Sequence, residues 1–183
     1  MVWRPALYAA PMVLAGVMAT PPADDTRARH DAMEKLADLL VGRWQGSFRL
    51  DLGKPPLYDV TSTFAAAMRA DGTLLTLDVS YTLTAVGQTP DSVPHSEFAL
   101  LYFEPVEKRY HFELCFADGK RETGLARLEA SVLQVTTAVP GGGYRRLTID
   151  RSVPDVWHET GERSPDGVAW RTYLDARFRR LAE

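Results

Sequence analysis

The chain has 183 residues, 45% of them hydrophobic and 25% charged, and a formal net charge of -3. That length supports one domain with a sizeable apolar core and is short for two. The balanced charge and the absence of a long basic run argue against nucleic acid as a partner, since the densest cluster, Arg177, Arg179 and Arg180, reads as a solvated strand end.

Residues 1–19 read as a signal peptide. Arg4 supplies positive charge, Ala6 to Val17 is almost wholly apolar, and Val17-Met18-Ala19 ends in small residues of the kind a signal peptidase accepts. The apolar run is short for a bilayer span, so no stable span is expected after cleavage. No cysteine stands near the cleavage point, so no lipid anchor is expected either. The mature chain is thus expected to be exported, periplasmic or secreted. Cys115 is the sole cysteine, which rules out an internal disulfide and leaves stability to the core. Its strand context reads as an inert, partly buried thiol.

Residues 20–42 read as a linker and a helix. From Asp24 to Val41, Met33, Leu36, Ala37 and Leu40 follow the i, i+3, i+4, i+7 stripe. Thr26, or Asp31 with Glu34, is placed to cap its start, and Gly42 to end it.

From Arg43 onward about ten runs have period-2 character. The expected strands are Trp44–Asp51, Tyr58–Met68, Leu75–Thr84, His95–Glu104, Arg109–Phe116, Arg121–Glu129, Ser131–Val139, Tyr144–Arg151, Asp155–Arg163 and Val168–Phe178. In the clearest, Leu75, Leu77, Val79, Tyr81 and Leu83 share one face, and Thr76, Asp78, Ser80, Thr82 and Thr84 the other. Tyr110, Phe112, Leu114 and Phe116 oppose Arg109, His111, Glu113 and Cys115 in the same way. On the last run, Val168, Trp170, Thr172, Leu174, Ala176 and Phe178 are grouped together. Ala70-Asp71-Gly72, Asp118-Gly119 and Ser164-Pro165-Asp166-Gly167 supply turns with glycine where positive φ is needed. The fold class is therefore all-β: a ten-stranded antiparallel up-and-down barrel preceded by one helix, with a two-sheet sandwich as the alternative. Closure removes the edges that invite aggregation.

Two motifs bracket the mature chain. Leu40-Val41-Gly42-Arg43-Trp44-Gln45-Gly46 stands at its start and Ser164-Pro165-Asp166-Gly167-Val168-Ala169-Trp170 near its end. Gly42-Arg43-Trp44 resembles the G-x-W signature of the lipocalin and calycin barrels. Residues 43–183 resemble one bacterial branch of that group, exported lipocalin-like domains of unassigned function. The resemblance implies that Trp44 lies at the barrel base and that Arg177, Arg179 or Arg180 packs over it as a cation–π cover. The nitrobindin-like haem barrels share a G-x-W-x-G opening. Here their Tyr-Pro-Thr segment is absent, and Tyr173-Leu174 stands in the kind of context where their haem-ligating histidine falls. No haem or other cofactor is expected.

His30, His95, His111 and His158 match no metal-ligand spacing, so no metal site is expected. No nucleophile elbow, phosphate loop or dinucleotide fingerprint occurs, and no catalytic residue is assigned. His111 and Glu113 share one strand face and read as a wet outer pair. Carboxylates such as Glu97, Glu104 and Glu113 are scattered over strands, where only tertiary contact pairs them. The aromatics point to a pocket. A barrel this wide tends to keep a cavity, and Phe48, Leu77, Tyr81, Tyr102, Tyr110, Phe112, Trp157 and Trp170 are the expected lining for a small apolar or amphipathic ligand. The Gly87–Pro94 loop is a candidate lid. The inward faces of Tyr144–Arg151 and Asp155–Arg163 are not decided by pattern. Two further readings are an enzyme of lyase, isomerase or cyclase type, which needs a polar cluster inside the barrel, and an envelope interaction module, which needs an exposed apolar patch.

Overall fold

The computed structural model describes residues 23–89 and 94–182. The signal-peptide reading of residues 1–19 and the middle of the Gly87–Pro94 loop lie outside them.

The helix α1 spans Ala23–Leu40. Asp24 and Asp25 in its first turn sit where the helix dipole favours negative charge. Met33, Leu36 and Leu40 form its buried stripe and are fully enclosed. The helix lies across the strands Tyr58–Arg69, Leu74–Ala85 and His95–Glu104 at one end of the sheet. Tyr110 Oη donates to the Ala32 carbonyl at 2.8 Å, and Arg29 Nε to the Phe103 carbonyl at 3.2 Å, which tether it there. No helix among the described residues is long and apolar enough to cross a membrane.

Ten strands follow: β1 Gly42–Leu50, β2 Tyr58–Arg69, β3 Leu74–Ala85, β4 His95–Glu104, β5 Arg109–Phe116, β6 Arg121–Glu129, β7 Val132–Ala138, β8 Tyr144–Asp150, β9 Val156–Ser164 and β10 Arg171–Arg180. Each pairs antiparallel with the next, and β1 pairs with both β2 and β10, so the sheet closes on itself. The sandwich alternative is thereby excluded. Gly42 has φ +141, and a Cβ there would stand 2.4 Å from Arg180 Nη1; this position needs glycine for its backbone and for its neighbour. At Gly46 a Cβ would meet the Arg177 carbonyl at 2.5 Å, so glycine lets β1 and β10 close.

β10 departs from the expected pattern. It begins at Arg171, because Ser164–Trp170 is a self-capped turn. Gly167 N donates to Ser164 Oγ at 2.8 Å, and Val168 N and Ala169 N donate to Asp166 Oδ1 at 2.9 and 3.0 Å. The register with β9 then shifts between Thr172 and Leu174. This bulge turns both Tyr173 and Leu174 inward and reverses the parity of everything before it. Trp170 consequently lies outside, under the Arg146 guanidinium at 4.1 Å, with its Nε1 donating to the Gly167 carbonyl.

Candidate ligand cavity

Trp44 is fully buried at the helix end of the barrel. Its Nε1 donates to the Leu40 carbonyl at 3.0 Å. Arg180 Nη1 donates to the Val41 carbonyl at 2.6 Å, and Arg151 Nε to the Leu39 carbonyl at 2.9 Å. Three successive carbonyls left open where the helix stops are thus satisfied by side chains from β1, β10 and the β8–β9 connection. The same two guanidinium groups lie over the Trp44 ring, at 4.5 Å for Arg180 and 4.1 Å for Arg151. Burial, and then the charge of Arg180, lowers the pKa of Arg151. Of the three arginines expected to cover Trp44, Arg180 does so, whereas Arg177 and Arg179 alternate onto the exposed face. Arg151 has no counterpart in the sequence reading.

Above this floor Trp157, Phe64, Phe178 and Phe48 form a continuous aromatic wall. Phe64 packs edge-on to Trp157 at 4.6 Å and to Phe178 at 5.0 Å, and Phe48 meets Phe178 at 5.8 Å. Leucine, valine and alanine from β3, β4, β5, β7 and β8 complete the apolar lining. They surround a hollow of about 360 Å³ that reaches the far strand ends at Leu50, Leu52, Arg163 and Tyr173. That volume is in the range of small-molecule pockets, ~300–1,000 Å³.

Polar groups gather in the half of the hollow away from the helix. Tyr81 Oη donates to Glu97 Oε1 at 3.0 Å, and Trp157 Nε1 donates to Glu159 Oε2 at 3.0 Å. Arg145 Nη2 and Thr137 Oγ1 both donate to the buried Glu122 carboxylate. Arg145 stands close enough to the Tyr173 hydroxyl for its charge to oppose the rise in that group's pKa, and Arg163 lies 4.7 Å over the Tyr173 ring. Burial is the chief cause that raises the pKa of both Glu97 and Glu159, with Glu97 adding to the rise of Glu159. Burial likewise pushes Tyr173 up to about 12, and raises Tyr81 with help from Glu97.

These shifts have a sign. A carboxyl whose folded pKa is raised contributes stability that is fully present below its ordinary range and lost as pH rises through the folded value. The double substitution Glu97→Gln with Glu159→Gln is therefore expected to flatten the pH profile. Urea midpoints of the native chain fall from pH 5 to pH 8 relative to those of the variant. The exposed aspartates with lowered pKa, Asp118, Asp150 and Asp166, are common to both proteins and cancel. Parallel profiles would show that the two acids carry no burial penalty.

Of the eight expected lining residues, Phe48, Leu77, Tyr81, Phe112 and Trp157 border the hollow. Tyr110 points inward but lies under the helix, held by Ala32. Tyr102 is outside, stacked on His111 at 5.1 Å, because Glu97, Ala99 and Leu101 take the inward positions of β4. Trp170 is outside for the reason given by the bulge. The His111–Glu113 face is the outer one, where His111 meets Glu107 at 3.0 Å. Glu97, Arg145, Glu159 and Tyr173 are the lining groups that pattern did not single out.

This topology, with its capped end and hollow interior, has the fold of a lipocalin-like barrel. Among solved structures the chain is similar to the crystal structure of Rv2717c from M. tuberculosis, with TM-score 0.56 and 16% identity over 82% of this chain and 98% of that one. It is also similar to the S-type phycobiliprotein lyase CPES from Guillardia theta, with TM-score 0.57 and 13% identity over 88% of this chain and 99% of that one. At such identities the likeness is one of fold. No family model matches the chain, and no curated protein does.

Proposed function

We propose that the chain is an exported barrel that holds one small molecule, apolar along most of its length and polar at one end, inside the lumen. The observation that carries this reading is the hollow of about 360 Å³ with an apolar wall toward the helix and carboxyl, hydroxyl and guanidinium groups toward the other end. Export rests on the apolar Ala6–Val17 run and the small residues after it.

The test is fluorescence enhancement of the neutral probe N-phenylnaphthylamine by the purified domain. Saturable enhancement is expected at one probe per chain. Ala99→Phe, which adds a ring to a buried lining position, is expected to weaken it at least about tenfold, equivalent to about 1.4 kcal/mol. Leu77→Trp on the neighbouring strand serves as the second filling variant. Unchanged probe binding in both, with folding intact, would place the probe elsewhere.

An enzyme of lyase or isomerase type on the same barrel is the second reading. It is supported by the facing carboxyls Glu97 and Glu159 beside Tyr81 and Tyr173, all with shifted pKa values, and by the lyase among the structural neighbours. Glu159→Gln separates the two: an enzyme loses turnover while it still takes up its substrate. No observation favours an interaction module, because the most exposed large apolar residues, Val106 and Val168, stand on separate turns.

A further inference from the structure

Glu97 and Glu159 lack what buried carboxyls ordinarily have. Among the described residues neither forms an ion pair, although both project into the lumen from opposing parts of the wall. Each spends one oxygen on a neutral donor, Tyr81 for Glu97 and Trp157 for Glu159. The other oxygen, Glu97 Oε2 or Glu159 Oε1, has no partner among the described residues and is open to the hollow that both side chains line, since among those residues the sole buried side-chain polar atom left without a bond is Arg145 Nε.

The nearest cation does not fill this gap. Arg145 is paired with Glu122 and forms no ion pair with Glu97 or Glu159, and its unbonded Nε is sealed from the hollow. The remaining basic groups near the pair are at the rim. Arg163 is exposed there on the face of Tyr173, and His95 stacks on Tyr81 at 5.4 Å. At the depth of Glu97 and Glu159 the lumen therefore offers carboxylate acceptors in excess of cations. An anionic headgroup would have to stop at the rim. A neutral one would leave the two acids to take up protons.

We infer that the polar end of the ligand is a cationic nitrogen group, an ammonium, amidinium or guanidinium, seated between Glu97 and Glu159 with its apolar body against Phe64, Trp157 and Phe178. This rests on the cavity reading above and specifies the chemistry of the molecule held there. Charge-assisted bonds from such a group to two desolvated carboxylates are about twice as strong as neutral ones. The apolar body is of modest length, in keeping with the hollow. The raised pKa values agree, because a bound cation restores the ionised form and displaces protons. The charged and titratable groups facing the pair are Tyr81, His95, Glu122, Arg145 and Tyr173.

The experiment compares three ligands with one chain length: octylguanidinium, octanol and octanoate. Octylguanidinium keeps its charge throughout the working range, so any proton released on its binding comes from the protein. Each is titrated calorimetrically and by displacement of N-phenylnaphthylamine. Octylguanidinium is expected to bind at least about tenfold tighter than octanol, with octanoate weakest. Near pH 6, in buffers of different ionisation enthalpy, it releases protons and octanol does not. In Glu97→Gln with Glu159→Gln the cation-to-alcohol affinity ratio falls to about 1 and proton release disappears. Should that variant not fold, proton release on the native protein decides alone. If the fluorophore binds but octanol or octanoate equals the cation, the ligand assignment is overturned and the cavity reading survives. If neither fluorophore nor any octyl compound binds, the cavity reading itself fails.

Discussion

Trp44→Ala is expected to destabilise the barrel by about 4 kcal/mol, the usual scale for removing a fully enclosed large aromatic. In a domain of this size that lowers Tm by roughly 10 °C. More than packing is lost. Trp44 contacts Trp157 at 5.6 Å and Phe64 at 6.3 Å, and it is the surface on which Arg151 and Arg180 rest. Without the indole those guanidinium groups lose their apolar support, and the Leu40 carbonyl loses its donor at a buried helix end. Trp44→Phe keeps most of the volume and removes the N–H, so its expected cost is about 1–2 kcal/mol. Chemical denaturation of the two variants reads the difference directly. Proteolysis adds a spatial readout: cleavage within α1 should accelerate in Trp44→Ala before the strands are cut, because that end of the barrel is where the helix is held. A cost below about 1 kcal/mol for Trp44→Ala would mean that the seal is made by the helix stripe alone.

How far this site could be read from sequence depended on parity. Along β3 and β5, unbroken alternation put Leu77, Tyr81 and Phe112 on the correct side, and closure of ten short antiparallel strands followed from turn chemistry. Three kinds of local event defeated the same reasoning. The bulge at Tyr173 adds one residue that no periodicity announces, so strict alternation groups Trp170 with the inward Leu174 and leaves Tyr173 out of that set. On β4 a run with apolar residues at Phe98, Ala99, Leu100, Leu101, Tyr102 and Phe103 hides which set faces in; the buried Ala99 and Leu101 settle it and bring Glu97 with them. On β8 and β9 the inward sets start or continue through charged residues, Arg145 with Leu147 and Ile149, and Trp157 with Glu159. A pattern search for apolar faces passes over such positions, and they are where the polar end of the cavity is built. The G-x-W motif located the floor, yet Arg151 follows the end of β8 in a connection, where nothing local marks it as a cover for a tryptophan more than a hundred residues earlier.

Arg145→Met is the second substitution with a large expected effect, and its cost depends on pH. In the native chain Arg145 is the cation that stands among Glu97, Glu122 and Glu159, and it lowers the pKa of Glu97 and of Glu159. Methionine of similar reach removes the charge and leaves three carboxyls around one lumen without it. Breaking a buried pair from one side costs about 3–5 kcal/mol, because the remaining charge stays desolvated. That loss is expected in full near pH 8. It shrinks toward pH 5, because Glu97 and Glu159, already raised by burial, rise further without Arg145 and escape their charge by protonation. Adding Glu122→Gln to Arg145→Met removes the partner charge as well and is expected to return most of the stability at pH 8, since replacing both members of a buried pair is far less costly than stranding one. Urea unfolding of the native chain, the single variant and the double variant at both pH values forms the cycle. A pH-independent cost in Arg145→Met would assign its role to packing against Phe116, 5.7 Å away, instead of to charge. Recovery by the double variant at pH 8 would instead show that the Arg145–Glu122 pair is dispensable for stability, leaving the polarity of the lumen as its contribution.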